Sequence, residues 1–245
     1  MKKILNFVQR QVWHSSVPAS FAEVERAERI FYLEYLRDGM TVFDTGANIG
    51  ELTLLFSRFV GDGGKVHAFE ASREVFKKLE IVCRAAGRRN IALNYLALSD
   101  ENGTIRLNIY DEAYSSFNSQ ALRPLKNYGL DLEPVGVEET PAMTVDSYCE
   151  NNSLEFIDLL KIDVEGAEFQ VMRGAQQMLK SKSIACLTFE FGQTTFDMGN
   201  NPEEIESFLR DLNYKIRNVV KGDPIFPGRG SVETARYSMH IATPI

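Results

Sequence analysis

Three short segments carry the residues with most chemistry to offer. In Asp44-x-Gly46-x-x-x-Gly50, an acid and two glycines lie between an apolar run and a helical one. Glycine lets the backbone approach a ligand closely, and the helix start that follows presents free N–H groups. A dinucleotide turn has glycine where the pyrophosphate lands, whereas Asp44 stands at the strand end here and would repel phosphate. A carboxylate suits a ligand with a positive tail, such as S-adenosyl-L-methionine with its ammonium and sulfonium. The plainer alternative is a tight turn with Asp44 as helix N-cap. Glu70 closes the next apolar run, where an acid can accept both hydroxyls of a ribose, the alternative being an acid favoured by a helix N-terminus. With both features in register, Asp44, Gly46, Ala47, Asn48, Gly50 and Glu70 form the expected nucleoside site.

Lys161, Asp163 and Glu165 alternate along a third segment and so leave one face of a strand at its C-terminal end, where ligands of open α/β sheets bind. A carboxylate there can serve as a base for a poorly acidic hydroxyl, a contribution of ~10²–10⁴. The alternative is an ion pair with Lys161 plus a capping role for Glu165. Glu190 reaches the same crevice from the following strand, either toward a substrate hydroxyl or, with Asp163 and Glu165, toward a divalent cation; a solvent-facing acid is the bland reading. The metal-free arrangement is expected, because the segment lacks histidine and Lys161 can balance the acids. Arg236 and Tyr237 are candidates for substrate contact, and His240, between Met239 and Ile241, reads as a core histidine.

The elements that must position these groups alternate in type. Phe21–Leu36 has helical apolar spacing. Then follow strand Met40–Phe43, helix Leu52–Val60, strand Lys65–Phe69, helix Arg73–Ala86 and strand Ile91–Leu98. Such alternation predicts a parallel sheet covered by helices on both faces. Residues 103–143 break it with an edge strand at Thr104–Tyr110 and a short strand around Thr140–Val145, and read as an insertion over the site. Alternation resumes with strand Ile157–Val164, helix Ala167–Lys180, strand Ile184–Phe191, helix Pro202–Leu212 and strands Tyr214–Val219 and Arg236–Ala242. No helix separates the last two, so one strand should run antiparallel. Loops 111–139, 192–201 and 221–235 should overhang the site, with Tyr114, Phe117, Tyr128, Phe196, Phe226 and Arg229 as pocket candidates.

The chain has 245 residues, a net charge of −7, 44% hydrophobic and 25% charged residues, an ordinary globular composition. The acidic balance disfavours nucleic acid and polybasic membrane binding. No apolar stretch approaches the roughly 18 residues that span a bilayer, and Met1–Ser16 is too short for a signal peptide. Cys83, Cys149 and Cys186 show neither zinc nor disulfide spacing, so a cytoplasmic protein is expected. Ile4, Leu5, Val8, Val12 and Trp13 suggest an amphipathic N-terminal helix that packs on the domain or in a homodimer.

Phe43-Asp-Thr-Gly-Ala-Asn-Ile-Gly50, Ala68-Phe-Glu70, Ala97-Leu-Ser-Asp100 and Leu160-Lys-Ile-Asp-Val-Glu-Gly-Ala-Glu168, followed by Arg173-Gly-Ala175, together resemble the FkbM-type methyltransferase family over residues 40–192. The resemblance implies a class I, Rossmann-like fold with a seven-stranded sheet, S-adenosyl-L-methionine as cofactor, and adenine held near Ser99 and Asp100. It further implies O-methylation of a hydroxyl on a small molecule, sugar or glycolipid, in a domain 40–245 behind a helical extension 1–39. An Asn-Pro-Pro-Tyr segment of many amino-group methyltransferases is replaced here by Asp163-Val-Glu-Gly166, which sets N-methylation second. A non-catalytic nucleoside-binding module is the rival from another class.

Overall fold

The computed structural model describes residues 19–245, so the N-terminal amphipathic segment lies outside the described residues. Helix α1 (Phe21–Tyr35) leads into strand β1 (Thr41–Thr45), helix α2 (Glu51–Phe59), β2 (Lys65–Glu70), α3 (Arg73–Ala85) and β3 (Ile91–Tyr95). The short β4 (Ala97–Leu98) then precedes β5 (Gly103–Ile109), β6 (Gly136–Met143) and α4 (Val145–Asn151). The remainder runs β7 (Leu159–Ile162), α5 (Glu168–Gly174), α6 (Gln176–Lys180), β8 (Leu187–Phe191), α7 (Gln193–Asp197), α8 (Pro202–Asp211), β9 (Tyr214–Asn218) and β10 (Ser238–Pro244).

Seven strands form one sheet in the order β3-β2-β1-β7-β8-β10-β9. Only β10 runs against its neighbours, so the mostly parallel sheet with one antiparallel strand is the fold. Every residue of β7 and β8 is buried, as strands covered on both faces require. Alternation sends Phe43, Leu160, Ile162, Phe189 and Phe191 into a core with α4–α6 and α8. It sends Val42, Val66, Leu159 and Cys186 into a second core with Val24 and Tyr32 of α1 and Phe56 of α2. The polar residues Asp44, Lys161 and Thr188 continue that second face toward the C-terminal strand ends, and they are register partners across β1, β7 and β8.

Several expected elements differ. The run 91–98 is two strands, because after Tyr95 the Leu96 N–H donates to the Glu70 carbonyl and Ala97–Leu98 turns away to pair with β6. Residues 103–143 are not an edge of the main sheet; β5 and β6 form a hairpin in a separate sheet of order β4-β6-β5. The helix expected over 167–180 breaks at Ala175, where Gly174 lies so close to the Ser99 carbonyl that a Cβ would stand 1.9 Å from its oxygen. The unforeseen α4 is capped by Thr144, whose hydroxyl accepts from Ser147 N at 3.0 Å. Among the described residues, no helix is long and apolar enough to cross a membrane.

Candidate active site

The turn after β1 is held from both sides. The N–H groups of Gly46 and Ala47 donate to the Phe69 carbonyl at 3.0 and 2.9 Å. Asn48, at φ 49°, donates its N–H to one Glu70 oxygen at 2.9 Å, while Ser72 N donates to the other at 2.8 Å. Burial pushes the Glu70 carboxyl up to about 7, against those two N–H groups, which favour the charged form. Gly46 has φ 77°, and a Cβ there would stand 1.8 Å from the Asp163 carbonyl oxygen. Glycine at 46 is therefore required by the close passage of the β7 exit, whatever ligand approaches the turn. Asp44 is fully buried: Oδ2 accepts from Thr53 Oγ1 at 2.6 Å and Oδ1 lies 3.2 Å from Lys161 Nζ. Its contacts go to Lys161 and α2, and its side chain is closed to the crevice.

Ser99 and Asp100 are committed elsewhere. Ser99 N donates to the Met143 carbonyl at 3.0 Å, the Ser99 carbonyl packs on Gly174, and Asp100 pairs with Arg173 at 2.6 Å. These contacts tie β4 to β6 and α5, because the chain leaves the main sheet at Leu96. Tyr95 and Leu96 are instead the neighbours of Glu70 at the β3 exit.

Lys161 is buried, with Nζ donating to the Gly46 carbonyl at 3.1 Å and lying 3.4 Å from Asp163 Oδ2. Burial pulls its pKa down, but Asp44, Asp163 and Glu28 outweigh that and hold it above the usual lysine value. Lys161 is a fixed cation that ties the turn after β1 to the β7 exit. Glu165 lies beyond the end of β7, so strand alternation does not reach it; a left-handed turn at φ 54° brings it round. Gly166 follows at φ 107°, where a Cβ would stand 2.3 Å from the Thr194 carbonyl oxygen. Glu168 Oε1 accepts from the N–H groups of Val164 and Gly166 at 2.9 and 3.2 Å and so fixes the turn.

Oxygens of Asp163, Glu165 and Glu190 fall within 4.8 Å of one another. Glu190 is buried and accepts from Thr194 Oγ1 at 3.3 Å, so it is not a solvent-facing acid. Burial pushes Glu165 up to about 8, opposed by Arg123, and Glu168 up to about 7. Burial, then the like charges of Glu165 and Asp163, raises Glu190 well above the carboxylate range. Carboxyls this close do not all ionise at once. The set can hold a proton, and hard oxygen ligands of this kind can also hold a divalent cation.

The insertion reaches this centre through Arg123, which the sequence reading passed over. Its side chain is 8% exposed and forks between Glu165 at 3.0 Å and Asp197 at 3.4 Å, above the Phe117 ring. Ser119 Oγ donates to the Glu165 carbonyl at 2.7 Å, and Tyr128 OH donates to Asp197 at 2.5 Å. A lone arginine in a polar loop carries no periodic signal. Two pocket candidates fail: Phe226 is buried against His240, and Arg229 pairs with Glu203 and Glu206 on α8. His240 is a core residue, accepting from Phe226 N at 3.1 Å, and burial lowers it to about 3. The Tyr237 ring packs at a tilt on Phe21 of α1, centroids 4.7 Å apart, and Arg236 N donates to the Pro227 carbonyl at 3.1 Å.

The family described as "Methyltransferase FkbM domain" matches residues 44–216. The 31-O-demethyl-FK506 methyltransferase FkbM of Streptomyces tacrolimicus is 31% identical over 216 residues, which cover 79% of this chain and 78% of that protein. A ribosomal protein L11 methyltransferase of Dictyoglomus thermophilum is 26% identical over 145 residues, 57% of this chain and 45% of that one. Among solved structures, an FkbM methyltransferase from Methylobacillus flagellatus superposes with TM-score 0.50 at 14% identity, covering 98% of this chain and 58% of that chain. An rRNA methylase from Streptococcus thermophilus superposes with TM-score 0.51 at 12% identity over 94% and 99%. The two superpositions show the shared fold.

Proposed function

The chain belongs to the FkbM family of S-adenosyl-L-methionine-dependent methyltransferases, and from that premise we propose that the group it methylates is a hydroxyl on a small molecule, sugar or glycolipid. The observation that carries this reading is the convergence of Asp163, Glu165 and Glu190 within 4.8 Å at the exits of β7 and β8. The name of the FK506 relative, an O-methyl product implied in it, supports the same choice.

The residues present fit the cofactor. The turn offers carboxylates, Glu70 at its rim and Asp163 beside it, which suit a cationic nucleoside and not a diphosphate. Lys161, the nearby cation, is spent on Asp44, Asp163 and the Gly46 carbonyl. Glu70 would take the ribose hydroxyls, with Ala47, Asn48 and Gly50 shaping the turn beneath. When bound, the cofactor supplies an electrophilic methyl group. The chain's task is to aim a hydroxyl at it and take away a proton, and positioning together with a general base supplies both. Asp163 is the better base, since its side chain is the most open of the three, 36% exposed against 29% for Glu165, while Glu190 is buried. The metal-free form is favoured because Lys161 and Arg123 already balance two of the acids. Residues 40–245 would be the methyltransferase unit, with the insertion and α1 as acceptor-side additions. Three buried free thiols, Cys83, Cys149 and Cys186, support residence in a reducing cytoplasm.

Screening hydroxylated acceptors with methyl-labelled cofactor tests the proposal. Label recovered in a methyl ether is the expected result. Label on nitrogen, or cofactor binding with no transfer to any acceptor, would overturn it.

A further inference from the structure

Helix α1 lies ahead of the residues that match the family, yet it reaches the crevice. Its buried side carries Val24, Glu28 and Tyr32, one turn apart, and a carboxylate in that row is out of place. Glu28 is 8% exposed and accepts one hydrogen bond, from Tyr32 OH at 2.7 Å; among the described residues no lysine or arginine lies within ion-pair distance of it. Tyr32 OH also meets Thr188 Oγ1 at 2.9 Å, which pins that turn of α1 over β8. One helical turn rises about 5.4 Å and two strand residues about 6.6 Å. With Tyr32 level with Thr188, Glu28 therefore stands roughly level with Glu190, two residues further along β8, and with Asp163 on β7. Tyr237 marks the same end of α1: its ring lies 4.7 Å from that of Phe21 at the helix start, and the residues after it, Ser238 and Met239, pair with Phe191 and Glu190 of β8.

Burying a carboxylate without a cation is costly, and a leucine or glutamine would fill the place at less expense. We propose that Glu28 is an acceptor-contacting residue, forming with Glu190 and the Tyr237 hydroxyl a subsite that binds a second hydroxyl of a neutral polyol beside the one that is methylated. Where Glu28 is ionised it accepts hydrogen bonds from hydroxyls and repels phosphate, so the subsite selects against phosphorylated acceptors. The inference rests on reading the crevice as the acceptor site of a hydroxyl methyltransferase.

The test uses the full chain and its Glu28→Gln and Glu28→Leu variants. Calorimetry with S-adenosylhomocysteine should give affinities within about twofold of one another, and thermal melts should show variants as stable as the parent or more so. With an acceptor from the labelled screen, KM should rise about tenfold or more while kcat stays within about threefold, the loss expected for a hydrogen bond to a charged group. The same acceptor lacking its second hydroxyl should be used equally by parent and variants. A melt lowered by several degrees in both variants, or an unchanged KM for the polyol, overturns the inference. If the parent methylates no hydroxyl, the reading of the crevice falls, and the melts still decide whether Glu28 is there for packing.

Discussion

The half of the crevice proposed for the cofactor and the half proposed for the acceptor are assembled in different ways. The first lies within residues 44–72, a strand, a turn, a helix and a strand in succession; its key contacts join Gly46 and Ala47 to Phe69, and the Glu70 carboxyl takes the N–H groups of Asn48 and Ser72. The second is gathered from across the chain: Glu28 from α1, Arg123 from the insertion, Glu165 and Glu190 from two strand exits, and Tyr237 from the approach to β10. A shared cofactor asks for a compact unit that works as one piece. Acceptor choice can be distributed over segments that change separately, as loops on a rigid scaffold do. The halves touch where Gly46 passes the Asp163 carbonyl.

That contact is where the comparison breaks most severely. Gly46→Val places a branched side chain against the Asp163 backbone at a positive φ and should cost about 3–5 kcal/mol, removing both cofactor binding and turnover. A variant that keeps both, by melt and calorimetry, would show the halves to be independent. Next in size, Asp163→Asn should lower turnover ~10²–10⁴ with cofactor affinity nearly unchanged, and Glu165→Gln should lower it less. Activity that vanishes on chelation and returns with Mg²⁺ would transfer the effect to a cation. Arg123→Gln leaves buried Asp197 and Glu165 without their shared cation and should cost about 3 kcal/mol; amide exchange over 111–139 should accelerate while cofactor affinity holds. Glu70→Ala should weaken the cofactor by about 1.5–3 kcal/mol and leave acceptor KM alone.

The smallest effect is a pH dependence. Burial raises Glu28 to about 7, above its unfolded value of 4.5. The folded chain thus keeps a proton that the unfolded chain releases, a stabilisation complete below about pH 4.5 and lost as pH rises through 7. Replacing Glu28 by glutamine removes that loss, so the variant's stability advantage should grow by about 2–3 kcal/mol between pH 5 and 8. A constant difference across that range would mean that Glu28 titrates normally.

The two halves were also unequally legible in the sequence. Asp44, Gly46, Gly50 and Glu70 announce themselves because strand, turn and helix signals are local and the residues of such a turn sit at fixed offsets. The strand that leads to Ser99 and Asp100 was read as one run, because apolar residues continue through Leu98 and hide a change of sheet at Leu96. Glu165 was found for the wrong reason, since a left-handed residue and not alternation delivers it. Arg123 and Glu28 were missed because nothing near them in the chain says which partner they will meet: Asp197 and Thr188 are brought to them by tertiary packing alone.

The single antiparallel strand sets a timetable for synthesis. β10 lies between β8 and β9, with Ser238 opposite Phe191 and His240 opposite Asn218, and Met239 and Ile241 complete the core beneath α1. Of the sheet's strands it leaves the ribosome last. Until it does, β9 has no partner in the sheet, Tyr237 is unplaced and α1 packs on a surface that lacks two of its residues. The turn and Glu70 lie in the first third of the chain and are backed by β7 through Lys161 and the Asp163 carbonyl, so a nascent chain should assemble its proposed nucleoside site once β7 has emerged, before the proposed acceptor site is complete.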